Sequence, residues 1–125
     1  MNIKATKDYC RSLAGVSENE FSAPSNVLVF YVGDKQFAYF KTSQPEQWRF
    51  SIRVGAERFL ELTDQAGIKP ARYMQRFHWI SIINVELQES NLIKTLIDSS
   101  YQKAFSSLSK KAQAIIIHGF SNEIE

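Results

Sequence analysis

The chain has 125 residues, 44% of them hydrophobic and 22% charged, with a formal net charge of +2. That length suits one domain able to bury a core without a disulfide or metal staple, and the composition excludes extended disorder. So small a net charge identifies no polyanion partner, and an electrostatic reading must rest on where the charges cluster.

Ile3 to Ala14 reads as a helix with Ile3, Cys10, Leu13 and Ala14 on one side, closed by Gly15. Cys10 is the only cysteine, so no intramolecular disulfide can form and a reducing, cytoplasmic setting is expected. Met1 to Asp8 lacks the apolar run of a secretory signal, and no stretch approaches the roughly 20 apolar residues of a membrane span, so no membrane association is expected. Val27 to Val32, the turn signal Gly33-Asp34 and aromatic-rich Phe37 to Lys41 read as a hairpin carrying Lys35 at its tip. In Trp48 to Val54, strict alternation places Trp48, Phe50, Ile52 and Val54 on a buried side and Arg49, Ser51 and Arg53 on a wet, basic one.

From Ala56 the period becomes helical, with Phe59, Leu60, Thr63 and Ala66 inward and Gly67 as the stop. Trp79 to Leu87 returns to period two, with Trp79, Ser81, Ile83, Val85 and Leu87 on one face. A long helix follows, its stripe formed by Leu92, Ile93, Leu96, Ile97, Tyr101, Ala104, Phe105 and Leu108, with Ser90 as the acceptor for an early amide. Ser109 suits the cap of a short last helix, whereas β-branched Ile115-Ile116-Ile117 suits an extended segment, and the residues leave both open. This order predicts a single α+β domain over residues 1–125, a two-layer sandwich in which helices cover one face of a mainly antiparallel sheet. The other face is then left for function.

The segment Lys69 to Trp79 interleaves the cations Lys69, Arg72 and Arg76 with the rings Tyr73, Phe77 and Trp79, and no acid occurs between Gln65 and Val85. Such spacing can engage a phosphate backbone, with rings available to stack on bases. A loop whose arginines lie over their own aromatic neighbours explains the same residues.

Pro70-Ala71-Arg72-Tyr73, His78-Trp79 opening an apolar strand, and Ser99-Ser100-Tyr101-Gln102 in the late helix, in this order, resemble the MmcQ/YjbR family over most of the chain. The resemblance implies a frataxin-like fold and a double-wing mode of DNA binding. The carboxylate ridge that frataxins use for iron is missing: Asp8 is the only acid between Met1 and Ser17, beside Lys4, Lys7 and Arg11. Hard cations need several oxygen ligands, so neither a metal nor another cofactor is expected.

The DNA reading assigns Lys35, Arg49, Arg53, Arg72, Arg76 and His78 to one electropositive surface that contacts phosphates without strong sequence specificity. Lys4, Lys7 and Arg11 recur on one helical stripe that would extend it, and a solvated helix face explains the same residues. Catalysis is not expected, because Cys10 lies in an apolar stripe and neither His78 nor His118 has the spacing of a dyad. The alternative is a nonenzymatic protein-interaction module, monomeric or weakly dimeric, presenting an aromatic patch from Phe30, Tyr31, Tyr39, Phe40 and Trp48.

Overall fold

Asn2 starts the first helix by accepting a hydrogen bond from the Ala5 N–H at 2.7 Å, in the computed structural model that describes residues 1–119. This helix, α1 (Ile3–Ser12), leads through Gly15, at φ +72°, into a hairpin-linked run of β1 (Val16–Phe21), β2 (Val27–Val32), β3 (Lys35–Lys41) and β4 (Phe50–Arg53). A β-carbon on Gly15 would approach an Ile116 methyl to 2.9 Å, so both conformation and space call for glycine. Helix α2 (Ala56–Thr63), strands β5 (Ile68–Pro70) and β6 (Trp79–Ile82), and helices α3 (Ser90–Ser106) and α4 (Lys110–His118) complete the order.

Every strand pair is antiparallel, in an open six-stranded sheet of order β1-β2-β3-β4-β6-β5. Phe30, Val32, Phe40, Phe50, Ile52, Ile80 and Ile82 are fully buried on one sheet face beneath Leu62, Ile93 and Ile97 of the helices. Full burial of each such side chain is worth about 1.5–3 kcal/mol, enough to fix which face turns inward. One core holds the whole described chain together.

The α+β two-layer architecture is thus as the sequence predicts, while several elements differ. Strand β1 is missed because Ser17, Glu18, Asn19 and Glu20 are exposed and carry no buried alternation. The segment expected as loop at Lys69 and Pro70 is edge strand β5, where Lys69 lies opposite Ser81 and Pro70 opposite Ile80. Proline is tolerated there because an edge strand has an unpaired side. The strand at Trp79 stops at Ile82, all four of its residues buried, and a 3-10 turn at Val85–Leu87 then buries Val85 and leaves Leu87 81% exposed. In α2 it is Leu62 that is buried and Leu60 that is 76% exposed. Glu89, not Ser90, occupies the cap position of α3, and the Ser90 hydroxyl accepts from the Met1 ammonium at 2.9 Å. The choice at the end of the chain resolves to helix, capped as expected by the Ser109 hydroxyl accepting from Ala112 N–H at 3.1 Å. No described helix is long and apolar enough to cross a membrane.

Candidate nucleic-acid interface

Directly paired residues of antiparallel strands share a face, so the register sorts every strand residue between the helix layer and the opposite side. In β1, Glu18 and Glu20 lie opposite the core residues Phe30 and Leu28, on the helix side, whereas Ser17, Asn19 and Phe21 pair with Tyr31, Val29 and Val27 on the outward side. Continuing across the sheet, the outward positions are Tyr39 and Lys41 in β3, Ser51 and Arg53 in β4, Trp79 and Ser81 in β6 and Lys69 in β5. Among the described residues, no carboxylate occupies an outward strand position.

At one end of this face lies a cleft of about 650 Å³ lined by Lys41, Glu46, Arg49, Lys69, Arg72, Tyr73 and Ser81 among others. Its four cations against one carboxylate leave a net charge of +3. Glu46 accepts from Arg49 Nη1 at 2.8 Å and from Lys69 Nζ at 3.1 Å. The Arg49 guanidinium, then Lys69, holds the Glu46 carboxyl below the usual carboxylate range in spite of partial burial. Arg49 Nε is shielded from solvent and has no acceptor among the described residues. Beside the cleft the middle of this face is neutral: the Ser51 and Ser81 hydroxyls share a buried hydrogen bond of 2.8 Å, and Tyr39 packs on Trp79 with centroids 5.6 Å apart.

At the other end of β4 a smaller crevice, about 350 Å³, is lined by Tyr31, Asp34, Lys35, Arg53, Trp79 and Ser100 among others. It opens where β3 and β4 part after the Ala38–Ile52 pair. There Ser100 of α3 substitutes for a ladder bond: its hydroxyl accepts from the Arg53 N–H at 3.1 Å and donates to the Phe37 carbonyl at 2.6 Å. Its neighbour Tyr101 donates to the Ala14 carbonyl, tying α3 to the end of α1. The serine-tyrosine pair that carries the family resemblance is therefore a structural joint.

The six residues assigned from sequence divide accordingly. Arg49 and Arg72 share the larger cleft, Lys35 and Arg53 share the crevice, and Arg53 also borders a further groove with Arg58 and Lys103. Arg49 immediately precedes β4 and Arg53 ends it, roughly 13 Å of backbone apart, and Lys35 pairs with the core residue Val32 on the helix side, so the assigned cations form two separate patches, the second at the seam between the sheet and α3, not one continuous plateau. Arg76 is exposed and stands over Phe77 with 4.8 Å to the ring centroid, outside both clefts. His78 faces the other way: its ring lies edge-on to Phe59 of α2 at 5.5 Å, and its carbonyl accepts from Val54 N–H. His78 closes the 3-10 turn at Gln75–Phe77 with a left-handed backbone, φ +64°, just before β6, and so is not part of the outward strand set.

Further expectations are corrected. The segment from Gln65 to Val85 contains no acid, yet the loop at Glu46 delivers one to Lys69. Ser51 is fully buried, not wet. The α1 cations belong to the helix layer: Lys4 pairs with Asp8 at 2.7 Å, Arg11 with Glu18 at 2.6 Å, and Lys7 stands 3.8 Å over the Trp48 ring. No aromatic patch forms from the five rings named for it, because Phe30 and Phe40 are fully buried and Tyr31, Tyr39 and Trp48 are partly so. Lys41 and Lys69 are the residues that sequence reasoning left out of the site. The alternation of Tyr39 and Lys41 with buried Ala38 and Phe40 was the signal for the first.

Burial pushes the Cys10 thiol up to about 12, so it is no nucleophile at neutral pH. Among the described residues no three His, Cys, Asp or Glu side chains are placed to hold a metal.

A family model described as YjbR matches residues 11–103. Among solved structures, a Deinococcus radiodurans protein with the domain DUF419 superposes with a TM-score of 0.78 at 22% identity, covering 92% of this chain and 87% of its own. A Pseudomonas syringae protein superposes with a TM-score of 0.66 at 21% identity, covering 83% and 99%. These likenesses concern the fold. No functionally curated protein matches the chain.

Proposed function

We propose that this chain, which belongs to the YjbR family, is a nonenzymatic DNA-binding protein that grips the phosphate backbone with the outward face of its sheet. The observation that carries the reading is the segregation of charge by register. The β1 acids Glu18 and Glu20 lie on the helix side, while Lys41, Arg53 and Lys69 occupy outward strand positions beside Arg49 and Arg72. A net charge of +2 would give a weak average field. Concentrating cations on a face whose strand positions hold no carboxylate produces the local potential that attracts a polyanion.

Hydrogen bonds to phosphate position a protein without reading sequence, and nothing on this face has the form of an α-helix presented to a major groove. Binding without strong sequence preference follows. Arg53 and Arg72 represent the two patches, and both are exposed. Replacing them by alanine together is expected to lower affinity for a random duplex at least tenfold in a fluorescence anisotropy titration. It should also flatten the dependence of log K on log salt by up to roughly 1.8, at about 0.9 for each phosphate no longer neutralised. Equal affinity and slope before and after the change would overturn the reading.

A further inference from the structure

We infer that the larger cleft seats a backbone phosphate of single-stranded DNA while the Tyr73 ring stacks on the adjoining base. This rests on the outward face binding nucleic acid and specifies the form of strand it selects. Tyr73 lies on the rim of the cleft and is 85% exposed, which for a ring of its size leaves a large apolar surface in water. Its ring centroid is 5.4 Å from the Arg72 guanidinium, so a phosphate held by Arg72 leaves a base of the same strand within reach of the ring.

The backbone supplies a second, independent observation. Among the described residues, non-glycine positive φ occurs at Asn26, Glu46, Trp48, Tyr73 and His78. Four of these five belong to the two loops beside the cleft, which supply Pro45, Glu46 and Arg49 on one side and Arg72, Tyr73 and Gln75 on the other. Left-handed backbone at a bulky residue is unfavourable and persists where surrounding structure enforces it. Here the enforcement is visible: Ala71 N–H donates to the Trp79 carbonyl at 2.9 Å, and Trp79 N–H donates to the Met74 carbonyl at 3.3 Å, which pins both ends of the turn that presents Tyr73.

Size and chemistry then choose the strand form. A volume of about 650 Å³ suits a nucleotide-sized group. The bases of a duplex are already stacked on one another, whereas those of a single strand are free to stack on a ring beside a cationic groove. Internal partners divide the cations: Glu46 fixes Arg49 and Lys69, the Pro45 carbonyl accepts from Lys41, and among the described residues exposed Arg72 has a ring contact alone.

The test is an anisotropy titration of three probes, an unstructured oligothymidylate, a random duplex and inorganic polyphosphate, with the parent chain, Tyr73→Ala and Tyr73→Phe. Tyr73→Ala is expected to weaken the oligothymidylate about tenfold and to leave duplex and polyphosphate within twofold, with Tyr73→Phe matching the parent. An unchanged oligothymidylate affinity, or an equal loss for all three probes, would overturn the inference alone if the parent still binds the duplex. Failure of the parent to bind any probe at low salt would remove the DNA reading as well. Because Tyr73 is on the surface, the substitutions leave the core untouched, and a far-ultraviolet circular dichroism spectrum identical to the parent's confirms the fold of each variant.

Discussion

Glu46 decides how much of the cleft's charge is available. Its carboxylate holds Arg49 at 2.8 Å and Lys69 at 3.1 Å, and Lys41 donates to the Pro45 carbonyl, so three of the four cations around the cleft have an internal partner and two of them share this acid. Glu46→Gln removes that partner without removing bulk. The salt dependence of duplex binding should then steepen by up to roughly 0.9, since one more unit of positive charge is left uncompensated to neutralise phosphate. The stabilising side of the same pair has a definite sign. A carboxyl held below its ordinary value contributes stability that is present above that value and is lost as the pH falls through the lowered one. Urea unfolding at pH 7 should therefore show the variant less stable by no more than about 1 kcal/mol, the upper end for a partly exposed ion pair. That difference should shrink as the pH falls through the lowered value and the parent's Glu46 becomes protonated too. A flatter salt dependence in the variant would mean that Glu46 organises the site more than it masks it.

At the scale of elements, the join between β3 and β4 depends on α3. The Ser100 hydroxyl, 1% exposed, satisfies both the Arg53 N–H and the Phe37 carbonyl, two backbone groups that would otherwise be left without partners beneath the helix. Ser100→Ala should lower stability by about 2 kcal/mol, the cost of leaving buried polar groups unsatisfied, readable as a shifted urea midpoint with an unchanged slope. A change below about 0.5 kcal/mol would show that water or a relaxed ladder replaces the hydroxyl. This joint also shows how far the sequence could be read. Strand β2 is predicted to the residue because it is a continuous apolar run buried on both sides, and the α3 stripe is predicted because Ile93, Leu96, Ile97 and Tyr101 repeat at helical spacing. Strand β1 escapes because its middle is polar and exposed, and β5 because it is three residues long with a proline; both lie at sheet edges. Of the site, Arg53 is legible through alternation, whereas Arg49 stands just before β4 and is held by Glu46. The acid that tempers the cleft is not, because Glu46 meets Lys69 only through the register of β3, β4, β6 and β5, 23 residues away along the chain.

Over the whole molecule, the sheet separates two environments. Its inner face and the helices form one apolar core, and the cations of α1 are consumed there by Asp8, Glu18 and the Trp48 ring. Its outer face has neutral hydroxyls and rings at the centre and cations at both ends of β4. A strand of polyanion laid along that face would meet both patches without crossing a carboxylate at any strand position. The same division would give a chain of +2 a salt dependence of DNA binding larger than its net charge suggests. The measurement that bears most directly on the proposed interface is amide chemical-shift mapping of the ¹⁵N-labelled chain during titration with random-sequence DNA at low salt. Shifts should concentrate in β4, β5, β6 and the segment from Ala71 to Phe77, and spare the solvent side of α1 and α3. Shifts centred on α1, α3 or α4, or no shifts at all, would contradict it.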